Sequence, residues 1–432
     1  MGKQRVLRIE YGNAYPWVSI VMAVALILAS PFVSSWLNYV ALAICLYRVV
    51  CYDAKVFATD YAILAPLAIL FATSGGLTLL IILCLIAAVV ILIREGMKAD
   101  RTLVIILILL NYLIIRMEGN FSKFLLCFGQ LFLLWVLLPK QDAASAERTA
   151  KVYCVSLLLT SGYALLLRDT WQLQAQVGVG TEAIWGTGIM RFHGLVRDPN
   201  FYMTEVIVAL ALLIKLKETN RMKTLPFILL GLALTTLGVL TYSKTFFLVF
   251  IAMGIIYIIW QFRNKKIFLG ILLVGMVILG ADFLLFSEGS PFAVVISRLL
   301  DSESISDLTT GRTDVYVQYL EAIGKNPWTI LFGYGFTAPG MEYDPHNIYL
   351  EIVYFSGIVG LGLFIALFAA LIGILKQQEP LAAQQSWISK YLVVVMILVL
   401  YLSLNGMFMV VVYPNIFLAL LAVLIPAKQE EI

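Results

Sequence analysis

YDPHNIYLEIVYFSGIVGLGLFI, residues 343–365, opens on polar and turn-forming residues and then becomes almost wholly apolar. The apolar run goes on to Leu375. A bilayer is crossed by about 20 consecutive apolar residues in a helix, so this stretch is long enough to span. A carboxylate just before a helix caps free backbone N–H groups, and proline fits the first turn. Asp344 and Pro345 therefore mark a helix mouth, and His346, one of only two histidines in the chain, sits in it beside Asn347.

The rest of the chain has the same character. Of 432 residues, 62% are hydrophobic and 13% charged, with a mean hydropathy of +0.95. Soluble proteins run at about 45–50% apolar and about 25% charged, which excludes a water-soluble globule. Fourteen candidate spans lie near 15–33, 36–51, 60–73, 77–93, 102–116, 121–138, 151–168, 201–216, 224–241, 244–262, 267–286, 347–375, 388–405 and 407–426. The second, third and fifth are short, so twelve to fourteen spans are expected. The apolar runs are continuous and do not alternate, which favours helices over a barrel. The expected fold is an all-α integral membrane protein.

Orientation follows from Lys and Arg. With the N-terminus in the cytoplasm, most of the 30 basic residues fall on cytoplasmic segments, for example Arg94, Lys98, Arg101 and Lys215, Lys217, Arg221, Lys223. That arrangement predicts an even number of spans with both termini inside, and the first apolar run, which lacks a small-residue cleavage site, is expected to be a retained span. All five cysteines lie in or beside spans, so neither a disulfide framework nor a Cys-based metal site is suggested. The net charge of +4 reflects topology and does not point to nucleic acid.

Two segments exceed a simple turn, and both fall on the external side. The chain divides accordingly into an N-terminal bundle at 1–168, a first external loop at 169–200, central helices at 201–286, a large external cap loop at 287–346 and C-terminal helices at 347–432. Within the large loop Val315, Tyr319 and Ala322 recur at helical spacing, Asn326-Pro327 stops that helix, and LFGYGF supplies a glycine-rich connector. A small helical cap is expected.

The two loops end alike. RFHGLVRDPNFYMTE and YDPHNIYLE each place Asp-Pro, then Asn, Tyr and Glu, at the start of an apolar run. Two helix N-termini thus face the external side, where free N–H groups and a partial positive charge favour anions. Arg191, Arg197, Lys244 and Arg312 lie in turns around them, Arg312 in an acidic loop that does not explain it. The arginine fork fits phosphate oxygens, so this set could cradle a pyrophosphate. Taken singly, each feature is no more than a good helix start or a solvated base. His346 is a candidate general base. His193 reads more simply as a hydrogen-bonded side chain. No ligand spacing for zinc appears.

Arg191-Phe-His-Gly194 with Asp198-Pro199-Asn200, then Gly311-Arg312, Asn326-Pro327 and Gly333-Tyr334-Gly335, then His346-Asn347-Ile-Tyr-Leu-Glu351 with Gly357 and Gly360, run in an order that resembles the O-antigen ligase and polysaccharide polymerase superfamily. The first 180 residues are similar to it only in hydropathy. Ser243-Lys244 departs from the Ser-Arg frequent in that family, keeping the charge without the bidentate geometry.

The resemblance implies a GT-C-like glycosyltransferase in the bacterial cytoplasmic membrane, with an extracytoplasmic active site and no metal or other cofactor. It would move glycan from an undecaprenyl-pyrophosphate-linked donor to an acceptor hydroxyl, with inversion. On that basis His346 takes the acceptor proton, while Arg191 and Arg312 stabilise the leaving pyrophosphate. Arg197, Lys244, Asn347, Asp198, Asn200 and Ser243 bind substrate or shape its site. Expected partners are the lipid-linked oligosaccharide, the acceptor glycan, membrane lipid and a chain-length regulator. A polymerase joining lipid-linked repeat units is favoured over a ligase, from the fourteen-span reading and the lysine. A flippase would instead show repeats and mid-membrane charges, and a structural partner would not need His346 or Arg312.

Overall fold

The computed structural model describes residues 15–73, 78–96, 101–177, 189–261, 291–300, 311–336, 341, 343–377, 406–408 and 412–425. These residues form helices and turns, with an isolated bridge between Ala72 and Thr78. Among the described residues four helices, Phe121–Lys140, Ala143–Leu166, Pro199–Glu218 and Ile348–Gln377, are long and apolar enough to cross a membrane. Shorter apolar helices accompany them, and large apolar side chains such as Ile93, Ile115 and Leu159 face outward from the bundle. The protein is an all-α integral membrane protein. The expected spans near 267–286 and 388–405 lie outside the described residues.

Helices α1 (Trp17–Ala29) and α2 (Trp36–Cys51) pack together, and α3 (Ala54–Leu64) follows after Asp53, whose carboxylate accepts the Val56 N–H at 2.9 Å. A span was expected over 60–73. Instead Pro66 closes α3 into a single 3-10 turn after 11 residues. At about 1.5 Å per residue that is too short for a bilayer core of about 30 Å. Most of α3 is buried, so it is an internal helix wrapped by its neighbours. It carries Asp60, which takes both Nε and Nη2 of Arg48 at 2.8 and 2.7 Å and a further bond from the Tyr15 hydroxyl. A buried ion pair persists only when its remaining polar sites are also bonded, and this one meets that condition.

Then come α4 (Leu79–Glu95), α5 (Arg101–Met117), α6 (Phe121–Leu137), α7 (Ala143–Leu166) and the short α8 (Trp171–Val177). The turn between α5 and α6 is fixed by Asn120, which caps α6 through the Lys123 N–H at 3.3 Å. Helix α9 (Pro199–Glu218) is the centre of the molecule. Sixteen of its 20 residues are buried, as befits a helix apolar on every face. It packs against α7, α10 (Thr224–Val239) and α11 (Lys244–Gln261).

The remaining described helices are α12 (Pro291–Leu300), α13 (Arg312–Ile323), α14 (Pro327–Phe332), α15 (Ile348–Gln377) and α16 (Val412–Leu421). The cap helix expected around Val315, Tyr319 and Ala322 is α13. Asn326-Pro327 does more than end it. Asn326 and Thr329 form a reciprocal capping box that starts α14.

The span expected as continuous over 347–375 is broken at Gly357, whose φ of 67° and ψ of −174° are not helical. The cause is a close approach of two backbones. Residues 333–336 lie along the break, with Tyr334 and Gly335 N–H groups donating to the carbonyls of Tyr354 and Phe355 at 2.8 and 2.9 Å. A Cβ on Gly357 would stand 2.2 Å from the Leu331 carbonyl oxygen. Gly357→Ala therefore adds a clash to a left-handed strain of roughly 1–3 kcal/mol. It is expected to lower the melting temperature in detergent by about 5 °C or more. An unchanged melting curve would show that the break does not depend on this contact.

Candidate functional site

The starts of α9, α11, α13 and α15 come together. Each turns through a left-handed residue: Gly194 (φ 56°), Tyr242 (φ 51°), Gly311 (φ 77°) and His346 (φ 47°). Tyrosine rarely adopts this conformation and histidine more readily, and such strain collects at functional sites. Gly194 is required twice over, because a Cβ there would meet the Tyr202 ring at 2.4 Å.

Asp198 caps α9, accepting the Asn200 N–H at 2.6 Å. The Asn200 carboxamide oxygen accepts from Arg191 Nη2 at 3.2 Å and from the Ser243 hydroxyl at 3.3 Å. Arg191 Nε also donates to the Thr241 carbonyl at 2.9 Å. Arg191, Asn200 and Ser243, far apart in sequence, thus form one cluster, and Lys244 follows as the first residue of α11.

His346 lies on the other flank. Its ring packs edge-to-face on Phe201, the third residue of α9, with centroids 5.0 Å apart. Its Nδ1 is buried and finds no hydrogen-bond partner among the described residues. Burial first, and then the nearby Arg312 cation, hold its pKa below the ordinary histidine value, against the opposing pull of Asp198 and Asp344. A neutral imidazole can accept a proton. Asn347 starts α15, its side-chain oxygen accepting the Leu350 N–H at 3.1 Å, so part of its capacity serves the helix.

Arg312 and Lys244 are both the first residue of a helix. The helix dipole disfavours a cation there. The helix dipole therefore does not account for them. Among the described residues no group of three or more His, Cys, Asp and Glu side chains gathers as a metal site would require.

Of the residues expected from sequence, Arg191, Asp198, Asn200, Ser243, Lys244, Arg312, His346 and Asn347 gather at these helix mouths. Arg197 does not. It is exposed and reaches away to the Gln176 carbonyl at 3.4 Å. His193 is buried in its own turn, with Nδ1 bonded to the Val196 carbonyl, in line with the simpler reading. Two residues escaped the sequence reading. Phe201 carried no signal beyond its place in an apolar run. Arg298 of α12 donates to the Tyr242 carbonyl at 3.1 Å, and as a base in an acidic loop it was detectable.

Residues 226–365 match a family model described as O-antigen ligase. The match takes in Ser243, Lys244, Arg312, His346 and Asn347, and leaves Arg191, Asp198 and Asn200 before it. No curated protein and no solved structure matches the chain.

Proposed function

We propose, on the premise that the chain belongs to the superfamily of O-antigen ligases and polysaccharide polymerases, that it is a polymerase of lipid-linked glycan repeat units. The single observation that carries the chemistry is the half-buried His346, its Nδ1 without a hydrogen-bond partner among the described residues and its ring packed on Phe201 at converging helix mouths, where the Arg312 cation lowers its pKa. An acceptor hydroxyl placed between them would lose its proton to the imidazole as its oxygen bonds to the anomeric carbon. The bond from that carbon to the phosphate oxygen breaks, and its electron pair leaves on the pyrophosphate. Arg312 and Arg191 stabilise the growing negative charge, which is where preorganised donors contribute most. One displacement inverts the anomeric centre. Lys244, Ser243 and Asn200 hold the pyrophosphate end, Asp198 and Asn347 set the two helix starts, and Arg197 takes only a peripheral part. The donor would be undecaprenyl-pyrophosphate-linked and would be met on the extracytoplasmic side of a bacterial cytoplasmic membrane. A chain-length regulator is a further partner in this reading.

The choice of polymerase over ligase rests on the sequence, through Ser243-Lys244 and the number of apolar runs. Purified protein in nanodiscs, given one lipid-linked repeat unit as sole substrate, is expected to yield a ladder of products. Transfer only after a second, different acceptor is added would make it a ligase. No transfer in either case would overturn the glycosyltransferase reading.

A further inference from the structure

Helix α5 holds two polar side chains that the transfer chemistry does not use. Its Tyr112 hydroxyl lies 2.5 Å from the Ser356 carbonyl oxygen and 3.3 Å from that of Phe332. Ser356 immediately precedes the break at Gly357, where the helical ladder is interrupted. One turn further, Arg116 donates from Nη2 to the Gly333 carbonyl at 2.9 Å, and its own carbonyl accepts the Phe336 N–H at 2.8 Å. The Asn120 amide adds a bond to the Phe336 carbonyl at 3.3 Å. From sequence alone Arg116 reads as a base snorkelling at a span end. The structure gives it a defined partner instead.

These contacts grip the connector 332–336 from one side, while α15 grips it from the other through the carbonyls of Tyr354 and Phe355. The connector is also tied to the cap. The Tyr334 hydroxyl donates to the Ala322 carbonyl at 2.8 Å, and the Tyr354 ring packs on both Tyr334 and Tyr319, with centroids 5.1 and 4.8 Å apart. Arg312 begins α13, and His346 lies just ahead of α15. Their separation is therefore set through the connector and not by a direct bond between them.

We propose that Tyr112 and Arg116 are positioning residues, which brace the 332–336 connector against the broken helix α15 and so hold Arg312 of the cap opposite His346. The catalytic consequence rests on the function proposed above, but the brace itself can be tested without it. Spin labels at Val317→Cys on α13 and Ile358→Cys on α15, both exposed positions, report the distance between cap and helix, in a Cys51→Ser background. The parent is expected to give one narrow distance distribution. Arg116→Ala and Tyr112→Phe are expected to broaden it, and Arg116→Lys, which still donates, to restore most of it. Tyr112→Phe removes one oxygen and nothing else, so it stays informative if Arg116→Ala fails to fold.

In the transfer assay the two variants are expected to lower kcat by about tenfold, the upper worth of one hydrogen bond, with KM for the donor unchanged. Narrow distances in both variants would overturn the brace, whatever turnover does. Broad distances with full turnover would overturn its role in positioning. A parent that transfers nothing would overturn the functional reading, and the distances would still decide the brace.

Discussion

Replacing His346 with alanine is expected to lower turnover by about 10²–10⁴-fold, the usual worth of a positioned general base. Alanine alone leaves an ambiguity, because His346 sits at φ 47°. A residue with a Cβ is strained there, and asparagine tolerates the left-handed region better than most. His346→Asn therefore keeps the turn and removes the base. Both variants should lose turnover alike while eluting and melting as the parent does. If asparagine restored activity, the histidine would matter for its backbone, and the base assignment would be wrong.

The pH profile gives an independent check. Burial and Arg312 hold the imidazole pKa below its ordinary value, so the reactive neutral form dominates at neutral pH. Turnover in the parent should stay level as pH falls through about 6.5, the unperturbed value, and should drop only at lower pH. The residual activity of His346→Asn should lack that acid limb.

Much of this arrangement was legible in the sequence because it is local. Asp198-Pro199 announces a helix start through capping chemistry, and that start is present, whereas the cap expected at Asp344 with Pro345 in the first turn falls three residues later, on Asn347, with α15 beginning at Ile348. The 3.6-residue spacing of Val315, Tyr319 and Ala322 finds α13. What stayed hidden depends on contacts between distant segments. The break at Gly357 cannot be inferred from a run as apolar as 348–375, because its cause is the approach of Leu331 and Gly333. Tyr112 meets Phe332 across 220 residues of chain. Arg197 misled for the complementary reason. A basic residue next to a helix mouth has a suggestive address, but the backbone sends its side chain outward, to Gln176. The run 60–73, which overlaps the end of α3, reads as a short candidate span since hydropathy does not separate an internal helix from a crossing one. Pro66 was the available sign of its early end.

Arg312 should show the second large effect. Arg312→Ala is expected to lower kcat by about 10²–10³-fold, the range seen when one preorganised donor to a developing negative charge is removed. Arg312→Lys keeps the cation and loses the planar fork, so it should recover most of that loss and remain about tenfold below the parent. The two variants should also differ in pH dependence, with a sign fixed by the geometry. Arg312 lowers the pKa of His346 by placing a positive charge near it. Removing that charge with alanine should raise the pKa, so the acid limb moves to higher pH. Lysine, still charged, should leave the limb close to its position in the parent. Asp198 and Asp344 act on His346 in the opposite sense and are unchanged in both variants. An alanine variant that lost turnover with no movement of the limb would place Arg312 away from His346 during transfer. A lysine variant as active as the parent would show that charge alone suffices. In that case Ser243-Lys244 would be no departure in function from the arginine it replaces.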